Sequence, residues 1–333
     1  MIRMMNIGYA KELKTLVSND YNYVFNVKNG NFWRWGTTRD DDPQWSCFGP
    51  EIADIEISTR CSKMCNFCYK SNTNDGKNMS LETFDKIISK FPQTLCQIAF
   101  GIGDIDGNPD LFKILRHCRR KLIVPNITIN GSRLDVMSAN KLATLCGSIA
   151  VSHYGEECFD AIALLKKEGA KQVNIHQLLS QETLDECWKL IDDPRLIDVH
   201  AVVFLSGKAK GRGKHIHPVS SEKFKEFVGE VLARNMNFGF DSCAAHKFLK
   251  SIAGHPREAY FKTVVEPCES GCFSIYINVE GKVYPCSFLE NSWEPVDILE
   301  AKDFMTDVWN SKPIARFRGV LMNNSRACPV YHV

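Results

Sequence analysis

The chain has no run of about 20 consecutive apolar residues, the length needed to span a bilayer. Its amino terminus lacks the basic, apolar and small-residue succession of a secretory signal. Charge of one sign is also missing: 41 Lys and Arg against 39 Asp and Glu leave a net +2. No global attraction to nucleic acid or to a membrane surface follows from that balance. These absences leave a cytoplasmic protein without a membrane partner as the expectation. Cysteine, by contrast, is plentiful, with 14 in 333 residues. In a reducing compartment clustered thiols bind metal rather than pair. Cys96, Cys118, Cys146, Cys158 and Cys187 stand singly in periodic segments and are expected to be small buried apolar residues.

Three of the others are grouped in Arg60-Cys61-Ser62-Lys63-Met64-Cys65-Asn66-Phe67-Cys68-Tyr69. A C-x3-C-x2-C triplet supplies three irons of a cubane and leaves the fourth without a protein ligand. Zinc is the alternative, but structural zinc takes four ligands and no histidine lies inside this loop. Position agrees with spacing. Ile52-Ala53-Asp54-Ile55-Glu56-Ile57 alternates apolar and polar as a strand does, and the cysteines follow its carboxyl end. That is the end at which α/β barrels place their chemistry.

From about residue 51 to 252, strand and helix patterns alternate. Strands are predicted at Ala53–Ser58, Gln97–Gly101, Ile123–Asn130, Ser148–Ser152, Gln172–His176 and Asp198–Leu205. Ser80 can cap a helix whose Leu81, Phe84, Ile87, Ile88 and Phe91 form one apolar stripe. Phe159, Ile162, Ala163 and Lys166 continue another helix, closed by Gly169, and Phe224, Phe227, Val228, Val231 and Leu232 mark a third. Such units read as parallel βα repeats, an α/β fold that is either a barrel or an open doubly wound sheet. The first fifty residues form an accessory segment with a hairpin, Tyr23–Val27 and Phe32–Trp35, about Asn29-Gly30. The division expected is 1–50 for that segment, 51–252 for the main unit and 253–333 for a carboxyl-terminal extension.

The triplet, with Phe67 just before its last cysteine, resembles the radical S-adenosylmethionine (SAM) superfamily. The resemblance implies a partial (β/α)6 TIM-like barrel and a SAM-binding [4Fe–4S] cluster on Cys61, Cys65 and Cys68, with Phe67 beside the cofactor. Gly101-Ile102-Gly103-Asp104 resembles the Gly-Gly-Glu segment that holds the methionyl ammonium, although Ile102 and Asp104 depart from it. Asn130, in Thr128-Ile129-Asn130-Gly131, and Ser152 resemble the family's further SAM contacts. His153 and His176 lie at predicted strand ends, where a structural histidine is at least as good a reading.

The last third holds Cys268, Cys272, Cys286 and Cys328 around a predicted hairpin, Ile275–Val279 and Val283–Cys286. It resembles the SPASM-type extension, including Val308-Trp309-Asn310-Ser311. The resemblance implies one auxiliary [4Fe–4S] cluster fully ligated by these four thiols, in a small α+β extension, with structural zinc as the alternative. Asp241 and Cys243, after a short strand Phe238–Asp241, are candidate catalytic residues near the barrel mouth, with an inert buried thiol the equal alternative for Cys243.

The activity implied is reductive cleavage of SAM to a 5′-deoxyadenosyl radical that takes a hydrogen atom from a peptide or protein side chain. An external one-electron reductant such as flavodoxin or ferredoxin is implied as a partner. Against a peptide, the first fifty residues leave no room for a separate leader-recognition domain. The pattern is also similar to phage-type radical SAM proteins, some linked to thymine hypermodification, so a modified nucleotide or amino-acid-bearing thymine in DNA is the alternative substrate. The basic loop 208–214, with Arg212, can hold a phosphate or carboxylate, though a local structural use is the stronger expectation. A non-catalytic iron–sulfur electron-transfer or sensor protein is the third reading.

Overall fold

The structure is a computed structural model describing residues 5–234 and 236–331. Its main sheet has ten strands. Seven form the parallel barrel run: β5 (Ile52–Glu56), β6 (Gln97–Gly101), β7 (Val124–Ile129), β8 (Ile149–Ser152), β9 (Val173–Leu179), β10 (Ala201–Ser206) and β11 (Phe238–Phe240). Before them a separate antiparallel sheet comprises β1 (Asn6–Ala10), β2 (Leu13–Val17), β3 (Asn22–Asn26) and β4 (Phe32–Trp35). The carboxyl-terminal strands are β12 (Ser274–Ile277), β13 (Lys282–Tyr284) and β14 (Val296–Asp297).

Helices α1 (Leu81–Lys90), α2 (Leu111–Arg120), α3 (Val136–Leu145), α4 (Glu156–Lys167), α5 (Leu184–Ile191) and α6 (Ser221–Ala233) connect successive parallel strands. The strands lie in chain order from β5 to β11. A doubly wound sheet reverses its order at a switch point, and none occurs here. The sheet keeps two edges, β11 and β14, so the barrel is partial.

Local chemistry accounts for the repeat. Ser80 Oγ accepts the Thr83 N–H at 3.1 Å, capping α1, while Phe84, Ile87 and Ile88 bury its inner face. Gly169 follows α4 at φ +91°, a left-handed position that glycine adopts without strain. Ala53, Ile55, Ile98, Phe100, Ile127, Val151, Ile175 and Phe204 share one core with the helices. Their alternate neighbours face inward, because side chains along a strand have a period of two. Of the single cysteines, Cys96, Cys118, Cys158 and Cys187 are buried as expected, and Cys146 is half-buried.

Two arrangements exceed the expectations from sequence. The predicted amino-terminal hairpin is β3–β4, paired from Asn22↔Trp35 to Phe25↔Phe32, but β1 and β2 extend it into a four-stranded sheet. Its Leu16, Tyr21, Tyr23 and Phe25 belong to one hydrophobic cluster with Cys268, Cys272, Phe273 and Phe317 of the carboxyl-terminal segment. The predicted carboxyl-terminal hairpin is β12–β13, and β12 also pairs in parallel with β5, placing Tyr276 opposite Asp54. The extension and the barrel therefore share one sheet.

Candidate functional site

The inward face of the parallel sheet lines a cavity of about 800 Å³. Cys61, Cys65, Cys68 and Phe67 line it from the loop between β5 and α1. Strand residues complete it: Asp54 and Glu56 from β5, Gly101 from β6, Thr128 from β7, Ser152 from β8, and His176 and Leu178 from β9, with Asn130 just after β7. Tyr276 of β12 and Ser287 close the side toward the carboxyl-terminal segment.

The cysteine loop is held from several directions. Cys61 N–H donates to Thr73 O at 2.9 Å, and Cys68 N–H to Cys65 O at 3.2 Å. Arg212 crosses from the basic loop: its backbone N–H donates to Cys68 O at 3.0 Å and its Nε to Cys65 O at 2.9 Å. Two glycines permit the close contact. A Cβ on Gly103 would stand 2.2 Å from Arg60 O, and one on Gly211 would stand 2.3 Å from Tyr69 O. Phe67 stacks on Tyr154 with centroids 5.8 Å apart. The structural use expected of the basic loop is therefore present.

The SAM-site residues divide. Gly101, Gly103, Asn130 and Ser152 line the cavity, as expected. Asn130 Nδ2 lies 3.8 Å from Cys61 Sγ and donates to Asp104 Oδ1 at 2.9 Å. Asp104 itself does not line the cavity. It is 5% exposed, and its Oδ2 accepts the Ser62 N–H at 2.8 Å. A carboxylate so occupied anchors the cysteine loop.

Neither Asp241 nor Cys243 is among the residues lining this cavity, although Asp241 lies within electrostatic reach of His176 on its wall. Asp241 accepts from Ser206 Oγ at 2.6 Å, from Ser206 N–H at 3.2 Å and from Lys208 Nζ at 3.1 Å. The buried Lys208 also sits 4.5 Å from the centre of the Phe288 ring. Cys243 lies within electrostatic reach of Cys268 and Cys286, and burial pushes its thiol well up. The short strand β11 ends at the edge of the sheet, and beyond it Cys243 reaches the carboxyl-terminal thiols while Asp241 turns to Ser206 and Lys208. His176 is buried enough to hold its imidazole down to about 4, so it is neutral.

The donors fit an iron–sulfur site that binds an exogenous ligand. Three half-buried thiols face one cavity, and beside them Arg212 Nη2 is buried without a hydrogen-bond partner among the described residues. Asn72 Oδ1, on another lining residue, is an acceptor in the same condition. An orphaned donor and acceptor at one wall suit a ligand that carries groups of both kinds. Among the described residues no three His, Cys, Asp or Glu side chains converge as the ligands of a single ion do. A cubane instead carries its thiolates on separate irons.

The second thiol group is enclosed. Cys272 is fully buried and Cys268 is 5% exposed, while Cys286 and Cys328 are half-buried. Arg326 Nε donates to Cys268 O at 3.0 Å and Arg318 Nε to Gly271 O at 2.6 Å, tying α9 (Lys312–Asn323) and the following turn to the thiol loop. Trp309 is fully buried and donates to Ser46 O at 2.8 Å, a structural role. The two groups of thiols are neighbours through Tyr69, which follows Cys68. Its ring stacks on Phe288 at 4.3 Å, and its hydroxyl donates to Ser287, next to Cys286, at 3.3 Å.

Sequence reading missed the cavity's acidic wall. Lys70 Nζ lies 3.2 Å from Glu56, pairs with Glu290 and donates to Tyr276 Oη at 2.5 Å. A signal was present. Parallel barrel strands read as nearly unbroken apolar runs, and Asp54 and Glu56 interrupt one.

Residues 268–329 match the SPASM family, described as an iron–sulfur cluster-binding domain. A curated relative, the tungsten-containing aldehyde ferredoxin oxidoreductase cofactor-modifying protein of Pyrococcus furiosus, is 28% identical over 95 residues, or 27% of each chain. The match thus spans about a quarter of that relative's length. Streptococcus suis SuiB bound to S-adenosylmethionine superposes with a TM-score of 0.70 at 13% identity, over 93% of this chain and 89% of that one. The same protein bound to its precursor peptide SuiA gives 0.71 at 14% identity over the same shares. anSMEcpe with bound AdoMet and Cp18Cys peptide gives 0.61 at 15% identity, over 80% of this chain and 82% of that one. No helix among the described residues is long and apolar enough to cross a membrane. Residues 268–329 thus match a SPASM iron–sulfur cluster-binding domain, joined edge to edge with a partial TIM-like barrel whose fold is similar to that of SuiB and anSMEcpe.

Proposed function

We propose that the chain is a radical SAM enzyme acting on a side chain of a peptide or protein. The observation that carries the proposal is the convergence of Cys61, Cys65 and Cys68 on a cavity beside the unpartnered Arg212 Nη2. A cubane held there, with one iron free of protein ligands, supplies reductive cleavage of SAM and a 5′-deoxyadenosyl radical able to take a hydrogen atom. The chain's own contribution is placement. Arg212 fixes the carbonyls of Cys65 and Cys68, and Asp104 fixes the Ser62 N–H, so the thiols hold their separations. Gly101, Gly103, Asn130 and Ser152 offer a wall on which the aminoacyl and ribose ends of SAM can rest. Phe67 and Tyr154 cover the loop with stacked rings and keep water from it.

Cys268, Cys272, Cys286 and Cys328 would hold one auxiliary [4Fe–4S] cluster, and the Tyr69–Phe288 stack lies between that group and the trio. A one-electron reductant such as flavodoxin or ferredoxin is the partner the chemistry needs. A peptide substrate is supported by the similarity to SuiB and anSMEcpe, each described with a bound peptide. The test is anaerobic reconstitution with iron and sulfide, then dithionite and SAM, with 5′-deoxyadenosine measured by chromatography. The wild type should form it, and Cys65→Ala should form none. A fully iron-loaded wild type that forms none is an electron-transfer or sensor protein instead.

A further inference from the structure

Asp54 occupies a position that the placement of SAM does not use. It lies on β5 two residues before Glu56, half-buried, opposite Tyr276 of β12 and on the wall of the 800 Å³ cavity. Every nearby carboxylate is engaged: Glu56 and Glu290 share the Lys70 ammonium, Tyr276 Oη donates to Glu56 at 3.2 Å, and Asn278 Nδ2 donates to Glu290 at 2.9 Å. Asp54 alone of this group has no hydrogen bond or ion pair among the described residues. A half-buried carboxyl with no protein partner, open to a cavity, can accept a donor from outside the chain.

We propose that Asp54 is the substrate anchor of this cavity, accepting a charge-assisted hydrogen bond from an ammonium-type group on the substrate. The proposal rests on the radical SAM reading and names its substrate class: a peptide segment presenting a basic side chain, which Asp54 can meet because Lys70 already holds Glu56 and Glu290. Desolvation alone raises the Asp54 carboxyl to about 6, so it is mostly ionised at neutral pH, and an arriving cation would deepen that ionisation. The location is functional as well as electrostatic, because Asp54 lies within electrostatic reach of Tyr69, Tyr276 and Cys286, between the two thiol groups.

The test uses the reconstituted protein with SAM and no reductant, and titrates n-butylammonium chloride, n-butanol and sodium butyrate by calorimetry. A charge-assisted hydrogen bond corresponds to about tenfold or more in affinity. Butylammonium should bind the wild type at least about tenfold more tightly than butanol, and butyrate not measurably. Asp54→Asn should bring butylammonium to within about twofold of butanol. Equal binding of the two by the wild type, or an undiminished preference in Asp54→Asn, overturns the proposal. A second measurement needs no variant: carbodiimide coupling at Asp54, mapped by mass spectrometry, should be slowed by butylammonium and not by butanol. Coupling unaffected by butylammonium likewise overturns it. Neither measurement involves SAM cleavage, so failure here is distinct from failure to form 5′-deoxyadenosine.

Discussion

The two thiol groups share one ligand chemistry and stand in opposite surroundings. Cys61, Cys65 and Cys68 project from a loop into a cavity, each half-buried. Cys268 and Cys272 sit inside a hydrophobic cluster with Phe273, Leu289 and Phe317. Burial pushes the Cys272 and Cys286 thiols up to about 11, so these remain protonated unless a metal replaces the proton. The difference separates a site that exchanges ligands from one that organises a core. An open donor set needs support from outside its loop, which Arg212, Asp104 and the close-packed glycines provide. A closed set is itself the support, tying the amino-terminal sheet to the barrel's far edge.

That contrast is broken most directly by unequal effects of equivalent substitutions. Cys272→Ser should remove about four irons per chain and cost roughly 3 kcal/mol or more, because a structural metal contributes folding energy. Cys65→Ser should remove a similar amount of iron with little change in thermal unfolding. Equal loss of Tm in the two variants would erase the distinction. A smaller effect is expected for Gly103→Ala, whose Cβ would press on Arg60 O and Cys61 Cβ. Displacement of the loop should lower 5′-deoxyadenosine formation about tenfold at a stability cost of ~1–3 kcal/mol.

Asp104→Ala sharpens the comparison further. The Ser62 N–H and Asn130 lose their acceptor, at ~1–3 kcal/mol, so iron bound by the trio should fall. SAM affinity of the remaining loaded protein, measured by equilibrium dialysis, should stay the same. A change in affinity without loss of iron would restore the direct contact that the segment's family resemblance implied.

A pH series probes the cavity wall. The Asp54 carboxyl is raised from 3.8 to about 6 in the fold, so its protonated form is the favoured one. Its contribution to stability is fully present below about pH 4 and is lost as pH rises through about 6. The Tm of Asp54→Asn relative to wild type should therefore increase between pH 4 and pH 7, and a flat difference would show that Asp54 does not titrate in this range. The smallest effect is expected from Ser80→Ala, which removes the α1 cap at a cost of ~1 kcal/mol in chemical denaturation and leaves both metal sites loaded.

Much of the barrel was legible because its signals are local. The Ser80 cap, the Phe84–Ile88 stripe, Gly169 and the Gln97–Gly101 strand need only neighbouring residues to be recognised, and each lies where the pattern put it. β1 and β2 escaped because Leu13–Val17 is short and its burial depends on a segment some 250 residues away. The turn after β6 was readable as a glycine-rich approach, but the direction of Asp104 was not. Backbone geometry brings Ser62 N–H within 2.8 Å, and no local pattern encodes that meeting. The partners of Asp241 and Cys243 were not legible for a related reason: β11 is an edge strand, and the residues after it meet Lys208 and the enclosed thiols.

By itself the amino-acid sequence determined the spacing of the Cys61, Cys65 and Cys68 trio, the α/β repeat and the polar residues at successive strand ends, all encoded at separations of a few residues. Only the tertiary structure decided that β12 extends the barrel sheet beside β5, that Asp104 serves the cysteine loop, and that Asp54 is left unpaired. Those outcomes depend on which distant groups satisfy each buried donor and acceptor. That is a property of the packed whole, since every hydrogen bond taken by one residue is withdrawn from another.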